Sequence, residues 1–206
     1  KAVILGNSAA VSNMTSDADG TIAVGFDCLS LLTTGRYNTA IGFEALSTTT
    51  ETDQNTAIGY QAMKVASGSA GDLRGTAVGF RSLLSMTSGY GNTSVGAQSG
   101  LVLTTGGHNT LLGMNSGTEL TTASGSVYIG SGAGQANTTG NQNIAIGYDA
   151  MGGPITTGDN NIAIGVSAGD GLTSGNRNIF MGKDAGGVLA TGVQNIAIGD
   201  SALDAA

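Results

Sequence analysis

The sequence predicts an all-β fold, a parallel β-solenoid built from short, nearly identical coils. Three observations lead there. The phrase Asn-Thr-Ala-Ile-Gly or Asn-Ile-Ala-Ile-Gly recurs at 38–42, 55–59, 143–147, 161–165 and 195–199. Anchored on its closing glycine, twelve copies fall into register at Gly6, Gly25, Gly42, Gly59, Gly79, Gly96, Gly113, Gly130, Gly147, Gly165, Gly182 and Gly199, and subtracting neighbours gives spacings of 19, 17, 17, 20, 17, 17, 17, 17, 18, 17 and 17 residues. Within a copy the apolar residues alternate with period two and glycine breaks every window, which argues against a helix. Self-similarity at a fixed period marks a stacked array.

Each copy opens on a polar residue, usually asparagine: Asn38, Asn55, Asn92, Asn109, Asn143, Asn161, Asn178 and Asn195, with Ala2, Thr21, Gly75 and Ser126 as exceptions. Stacked amides can bond along such a column. A strand follows. Its first column is β-branched (Val3, Ile22, Thr39 through Ile196) and its last is aliphatic (Leu5, Val24, Ile41 through Ile198). Residues two apart share a strand face, and the aliphatic column is expected to be buried. The residue between them is mostly Ala and faces the other way, into a tight space that Ile4, Leu111, Tyr128 and Phe180 nonetheless enter. If Ala lines the interior, the aliphatics form an outward stripe on the order of 55 Å long at ~4.8 Å per coil. If the aliphatics fill the coil, the Ala face is the close-contact surface. Either arrangement favours self-association.

Three residues after the anchor the column is small without exception, and Cys28 reads there as one more packed small residue. A short second strand is expected next. A Thr-Thr-Gly or Thr-Ser-Gly turn then closes the coil, at 33–35, 87–89, 104–106, 138–140, 156–158 and 173–175. Glycine there permits a positive φ. Stacking on neighbours must stabilise what one coil cannot.

The composition fits this. There are 36 glycines and one proline, but the glycines sit at fixed positions and act as punctuation. The net charge of −7, with seven basic residues scattered along the chain, points away from nucleic acid. No apolar run approaches the roughly 20 residues of a membrane span, so membrane insertion is not expected. A lone cysteine gives no internal disulfide. His108 is the sole histidine, which leaves no hydrolytic triad or histidine metal cluster. Gly130–Gly134 is glycine-rich but lacks the Lys-Ser/Thr and helix of a phosphate loop. Asp17-Ala18-Asp19-Gly20 lacks EF-hand spacing. The expectation is a non-enzyme without cofactor or metal. Residues 1–206 read as one continuous array, a segment of a longer chain.

Two sets of residues are candidates for binding. The long copies, Ser8–Gly20, Lys64–Arg74 and the Pro154 copy, place insertions on one face, with Lys64, Asp72, Arg74, Asp17 and Asp19 as candidate contacts. The position after the anchor carries Phe26, Phe43, Tyr60, Phe80 and Tyr148, a row able to stack on sugars or pack on a neighbouring chain.

Asn-Thr-Ala-Ile-Gly-Tyr-Gln-Ala-Met at 55–63 and Asn-Ile-Ala-Ile-Gly-Tyr-Asp-Ala-Met at 143–151 resemble the head repeats of YadA-like trimeric autotransporter adhesins. Similar arrays occur in bacteriophage tail fibres. The adhesin core is Ser-Val-Ala-Ile-Gly followed by a small residue, and the period here is longer, the added residues falling around the Thr-Thr-Gly turn. The resemblance implies a left-handed parallel β-roll, a homotrimer and attachment to a cell-surface glycan or protein receptor. It implies an extracellular location, on a virion tail fibre or a bacterial surface. It assigns no binding residues. An ice-binding solenoid is the alternative, on the regular column Thr33, Thr50, Thr87, Thr104, Thr121 and Thr138, broken at Ala70 and Ala190.

Overall fold

The computed structural model describes residues 2–10, 19–66 and 73–204. It is an all-β, parallel solenoid of about eleven turns. Twelve strands of three residues each pair in sequence order into one sheet: β1 Val3–Leu5, β2 Ile22–Val24, β3 Thr39–Ile41, β4 Thr56–Ile58, β5 Thr76–Val78, β6 Thr93–Val95, β7 Thr110–Leu112, β8 Val127–Ile129, β9 Ile144–Ile146, β10 Ile162–Ile164, β11 Ile179–Met181 and β12 Ile196–Ile198. Coil numbers below follow the strands. Register is exact from rung to rung: Thr39 lies on Thr56, Ala40 on Ala57 and Ile41 on Ile58.

The middle residue of each strand from β2 to β12 is buried and its two neighbours face outward. The expected burial of the aliphatic column is therefore corrected. Ile41 and Val95 are over a third exposed, whereas Ala40 and Ser94 are fully enclosed. The cause is width. The interior already holds the strand-centre residue, the asparagine column, the small column and the buried Leu, Met or Thr near the turn, such as Leu32, Thr49 and Met86. No room remains for a second row of branched chains.

The expected second strand is also absent among the described residues. After each anchor glycine the backbone winds through a turn whose residues two and four places on take positive φ, most of them not glycine, as at Glu44 (53°) and Leu46 (50°). Each non-glycine one costs about 1 kcal/mol or more. The alternation aims successive N–H groups at opposite neighbours. Glu44 N–H donates down to Phe26 O (2.8 Å) and Leu46 N–H donates up to Ala62 O (3.1 Å). The left-handed residues turn the chain at this corner while keeping these amides along the axis, as the strand amides are. The anchors themselves stack. Gly42 has φ +136°, and a Cβ there would collide with the carbonyl oxygen of Gly59.

The asparagine column forms a buried amide ladder. Asn178 Nδ2 and N–H both donate to Asn161 Oδ1 (3.0 Å each), and Asn161 does the same to Asn143. Six of the eight Nδ2 groups also reach a turn carbonyl of the next coil, as Asn161 to Gly175 O (2.9 Å). Gly75 and Ser126 still donate their backbone N–H groups to Asn55 and Asn109, and Ser126 Oγ accepts the Asn143 N–H (3.3 Å), but Gly75 offers Asn92 no side-chain acceptor and interrupts the ladder there.

Candidate functional site

Three outer surfaces flank this core. The first is the sheet face. From coil 8 to coil 12 both outward columns are aliphatic (Val127/Ile129, Ile144/Ile146, Ile162/Ile164, Ile179/Met181, Ile196/Ile198), and none of these side chains is buried. From coil 3 to coil 7 the first column is threonine instead. The face is flat and in register because parallel strands of one length repeat on it without a bulge.

The second surface is the aromatic row. Phe26, Phe43, Tyr60 and Phe80 stack face to face at 5.1, 5.3 and 5.3 Å with interplanar angles of 11–12°. Rung spacing places each ring on the face of the next. Only ring edges reach solvent, so the inner members offer no face to a sugar. Tyr148 lies outside the stack, because Ser131 and Val166 occupy the rungs on either side. A polar ladder runs beside the rings. The Arg81 guanidinium lies 5.1 Å from the Phe80 centroid and Arg81 Nε donates to Gln61 Oε1 (3.1 Å). Gln61 Nε2 and Lys64 Nζ converge on Glu44 Oε2 at 2.7 and 2.6 Å. The Lys64 and Gln61 contacts hold the Glu44 carboxyl below its usual range.

The candidate loop residues are thus placed separately. Lys64 is engaged by Glu44. Arg74 donates to the Tyr90 hydroxyl (2.8 Å) and leans over that ring, and the Asp19 carbonyl accepts the Tyr37 N–H (3.1 Å). Asp17 and Asp72 lie outside the described residues. Cys28 is enclosed, and burial pushes its thiol up. Among the described residues no three His, Cys, Asp or Glu gather where they could hold a metal.

The Thr33 to Thr138 column is not a free hydroxyl array. Thr33, Thr87, Thr104 and Thr121 donate to carbonyls of the next coil at 3.0–3.1 Å. The outward threonines of β3 to β7 carry the unbonded hydroxyls instead.

The third surface, a polar edge just before the asparagine ladder, was not singled out by sequence reading. Its signal was present in a second column of side-chain acceptors: Asp53, Ser124, Asn141, Asp159 and Asn176 each receive a backbone N–H from the coil below. No protein family, no curated protein and no solved structure matches the chain.

Proposed function

We propose that this solenoid is a structural and adhesive segment of a trimeric extracellular attachment fibre, of the kind found in phage tail fibres and bacterial surface adhesins. One observation carries the reading: the strands turn an aliphatic column outward along the whole array, joined by a second aliphatic column from coil 8 to coil 12. Such a stripe is covered in a stable assembly, and copies of the same chain meet its length and repeat by symmetry. The left-handed coil and threefold arrangement follow from the resemblance of the repeats. Function is then mechanical and multivalent. The array holds a receptor-binding surface away from its base, and three copies multiply weak contacts through effective concentration. No chemistry is required of it, and it is read as a non-enzyme.

The test joins mass to adhesion. The chain is expected to sediment as a trimer and to coat a susceptible bacterial or host-cell surface. A folded monomer that adheres to nothing would overturn the reading. The outward, unbonded threonines Thr39, Thr56, Thr76, Thr93 and Thr110 favour one second reading, ice binding, since they repeat at the rung spacing. Thermal hysteresis at micromolar protein would establish it in place of the fibre.

A further inference from the structure

The edge preceding the asparagine ladder presents one left-handed residue per coil, with its side chain outward: Gln54 (φ 59°), His108 (60°), Gln142 (56°), Asn160 (59°) and Arg177 (58°) among them. Gly125 interrupts this column between His108 and Gln142. Its missing side chain leaves a depression of about 360 Å³ lined by His108, Ser124, Gly125, Asn141 and Gln142. The flanking residues are two rungs apart, ~9.6 Å at ~4.8 Å per rung. This volume lies at the lower end of the range for small-ligand sites.

The notch is lined by uncharged polar residues held by the scaffold, and most of the surface they expose to it is carbon. Tyr90 packs edgewise on the His108 ring, with centroids 5.2 Å apart. Ser124 Oγ accepts Gly107 N–H (3.1 Å), and Asn141 Oδ1 accepts Ser124 N–H (2.9 Å). The Asn141 Nδ2 is left with one long approach to Asp159, at 3.4 Å. The His108 ring nitrogens and the Gln142 carboxamide make no hydrogen bond among the described residues. Between Arg81 and Asp149 the sequence carries one formal charge, Glu119, and it is not part of the lining. An anionic ligand would find no counter-ion here, and a cationic one only Asp159, whose Oδ1 is already engaged by Asn141. An apolar one would suit the carbon surface but leave the free His108 and Gln142 polar groups covered and unpaired, which is costly, whereas a sugar brings both C–H faces and hydroxyls. A neutral polyhydroxyl compound matches, because every hydroxyl both donates and accepts.

We propose that the Gly125 notch binds a neutral saccharide unit of a glycan. This deepens the attachment reading and rests on it. The smaller depression farther along the same edge, lined by Asp159, Asn160, Asn176, Arg177 and Val193, is charged and does not share this chemistry.

The test is a direct binding measurement with oligomers of glucose, galactose and N-acetylglucosamine, beside sulfated and sialylated oligosaccharides. Gly125→Gln restores the side chain this column has at Gln54, Gln142 and Gln194, at φ values the chain already accepts for glutamine. Its Cβ would meet Gln142 Cγ at 3.4 Å, an ordinary contact. Wild type is expected to prefer a neutral oligomer. Gly125→Gln and Gln142→Ala should each weaken binding at least tenfold with an unchanged melting curve. The proposal is overturned if wild type binds no neutral oligomer, prefers the anionic ones, or binds equally well after both substitutions. Trimer mass and adhesion that persist in Gly125→Gln would sink the notch and leave the fibre. A monomer that still binds neutral sugar would sink the fibre and leave the notch.

Discussion

Tyr128 occupies the space that Gly134 leaves open: a Cβ on Gly134 would sit 2.7 Å from Tyr128 Cγ and nearer still to two other ring carbons. The same relation joins Phe180 to Gly186, and Leu111 to Gly117 (2.7 and 3.0 Å). Where the strand centre is Ala, the position four past the anchor is usually Leu or Met, as in Ala40/Leu46 and Ala145/Met151. Interior volume is thus balanced between the two walls and between neighbouring coils: Ser94/Gly100 and Ala163/Gly169 are small at both positions, and Leu111 and Phe180 of the next coil reach into the space. Native packing density leaves no slack for a mismatch.

Gly134→Leu alone should destabilise by at least 1–3 kcal/mol through overpacking, and Tyr128→Ala alone by about 3–5 kcal/mol through a cavity. The double variant should recover much of both losses, because Leu at this turn position keeps φ near 50° in Leu29, Leu46 and Leu83. Denaturant unfolding followed by circular dichroism measures the coupling. Simple additivity would refute the exchange of volume. Tyr128→Phe serves as a companion. The tyrosine hydroxyl lies beside Ser126 and Asn143 but is buried without a hydrogen-bond partner, so its removal should be neutral or stabilising by about 1 kcal/mol.

Asn161→Ala removes an acceptor for two Asn178 groups and a donor to Asn143 and Gly175, all enclosed. A loss of roughly 2–4 kcal/mol is expected from the unpaired groups. Asn195, partly exposed and high on the ladder, should cost visibly less. Equal losses at the two sites would show that the ladder is not cooperative.

Acid should act on two parts of the array with opposite sign. Glu44 has a folded pKa below its free value, chiefly through its Lys64 hydrogen bond. Its contribution is present above the free carboxylate pKa, near 4.3, and fades as pH falls through the folded value. Asp170 is raised, first by burial and then by Asp184 and Asp204. Its ionisation destabilises above the folded pKa, and the penalty vanishes below the free value. Asp170→Asn should therefore stabilise at neutral pH and do nothing at pH 3, while Glu44→Gln should flatten the acid limb. Melting temperatures from pH 3 to 7 decide both.

The repeat, the strand positions, the parallel register and the amide ladder were legible in the sequence because identical residues recur at one spacing. Which strand face points inward was not. Ala40 and Ile41 are equally compatible with a coil interior until its width is known, and width depends on a turn whose left-handed residues include Glu44, Gln61 and Leu46, with no glycine to announce them. The Gly125 notch was hidden for a related reason. A missing side chain becomes a site only when the rungs on either side are placed.

Neighbouring residues of one strand should then respond oppositely. Ala163→Leu intrudes on the packed interior beside Gly169 and Phe180 and should lower stability by about 1–3 kcal/mol. Ile162→Glu points outward and should leave the coil folded while dissolving the proposed assembly. Circular dichroism with sedimentation distinguishes them, and unfolding by Ile162→Glu at unchanged mass would reverse the assignment of faces.

Sedimentation equilibrium of the wild-type chain at micromolar concentration reads the proposed assembly most directly. Three copies of the 20.1 kDa chain, about 60 kDa, are expected, with Ile162→Glu falling to a folded single chain. A wild-type species at the mass of one chain, fully folded and concentration-independent, would contradict the burial of the outward strand face between copies.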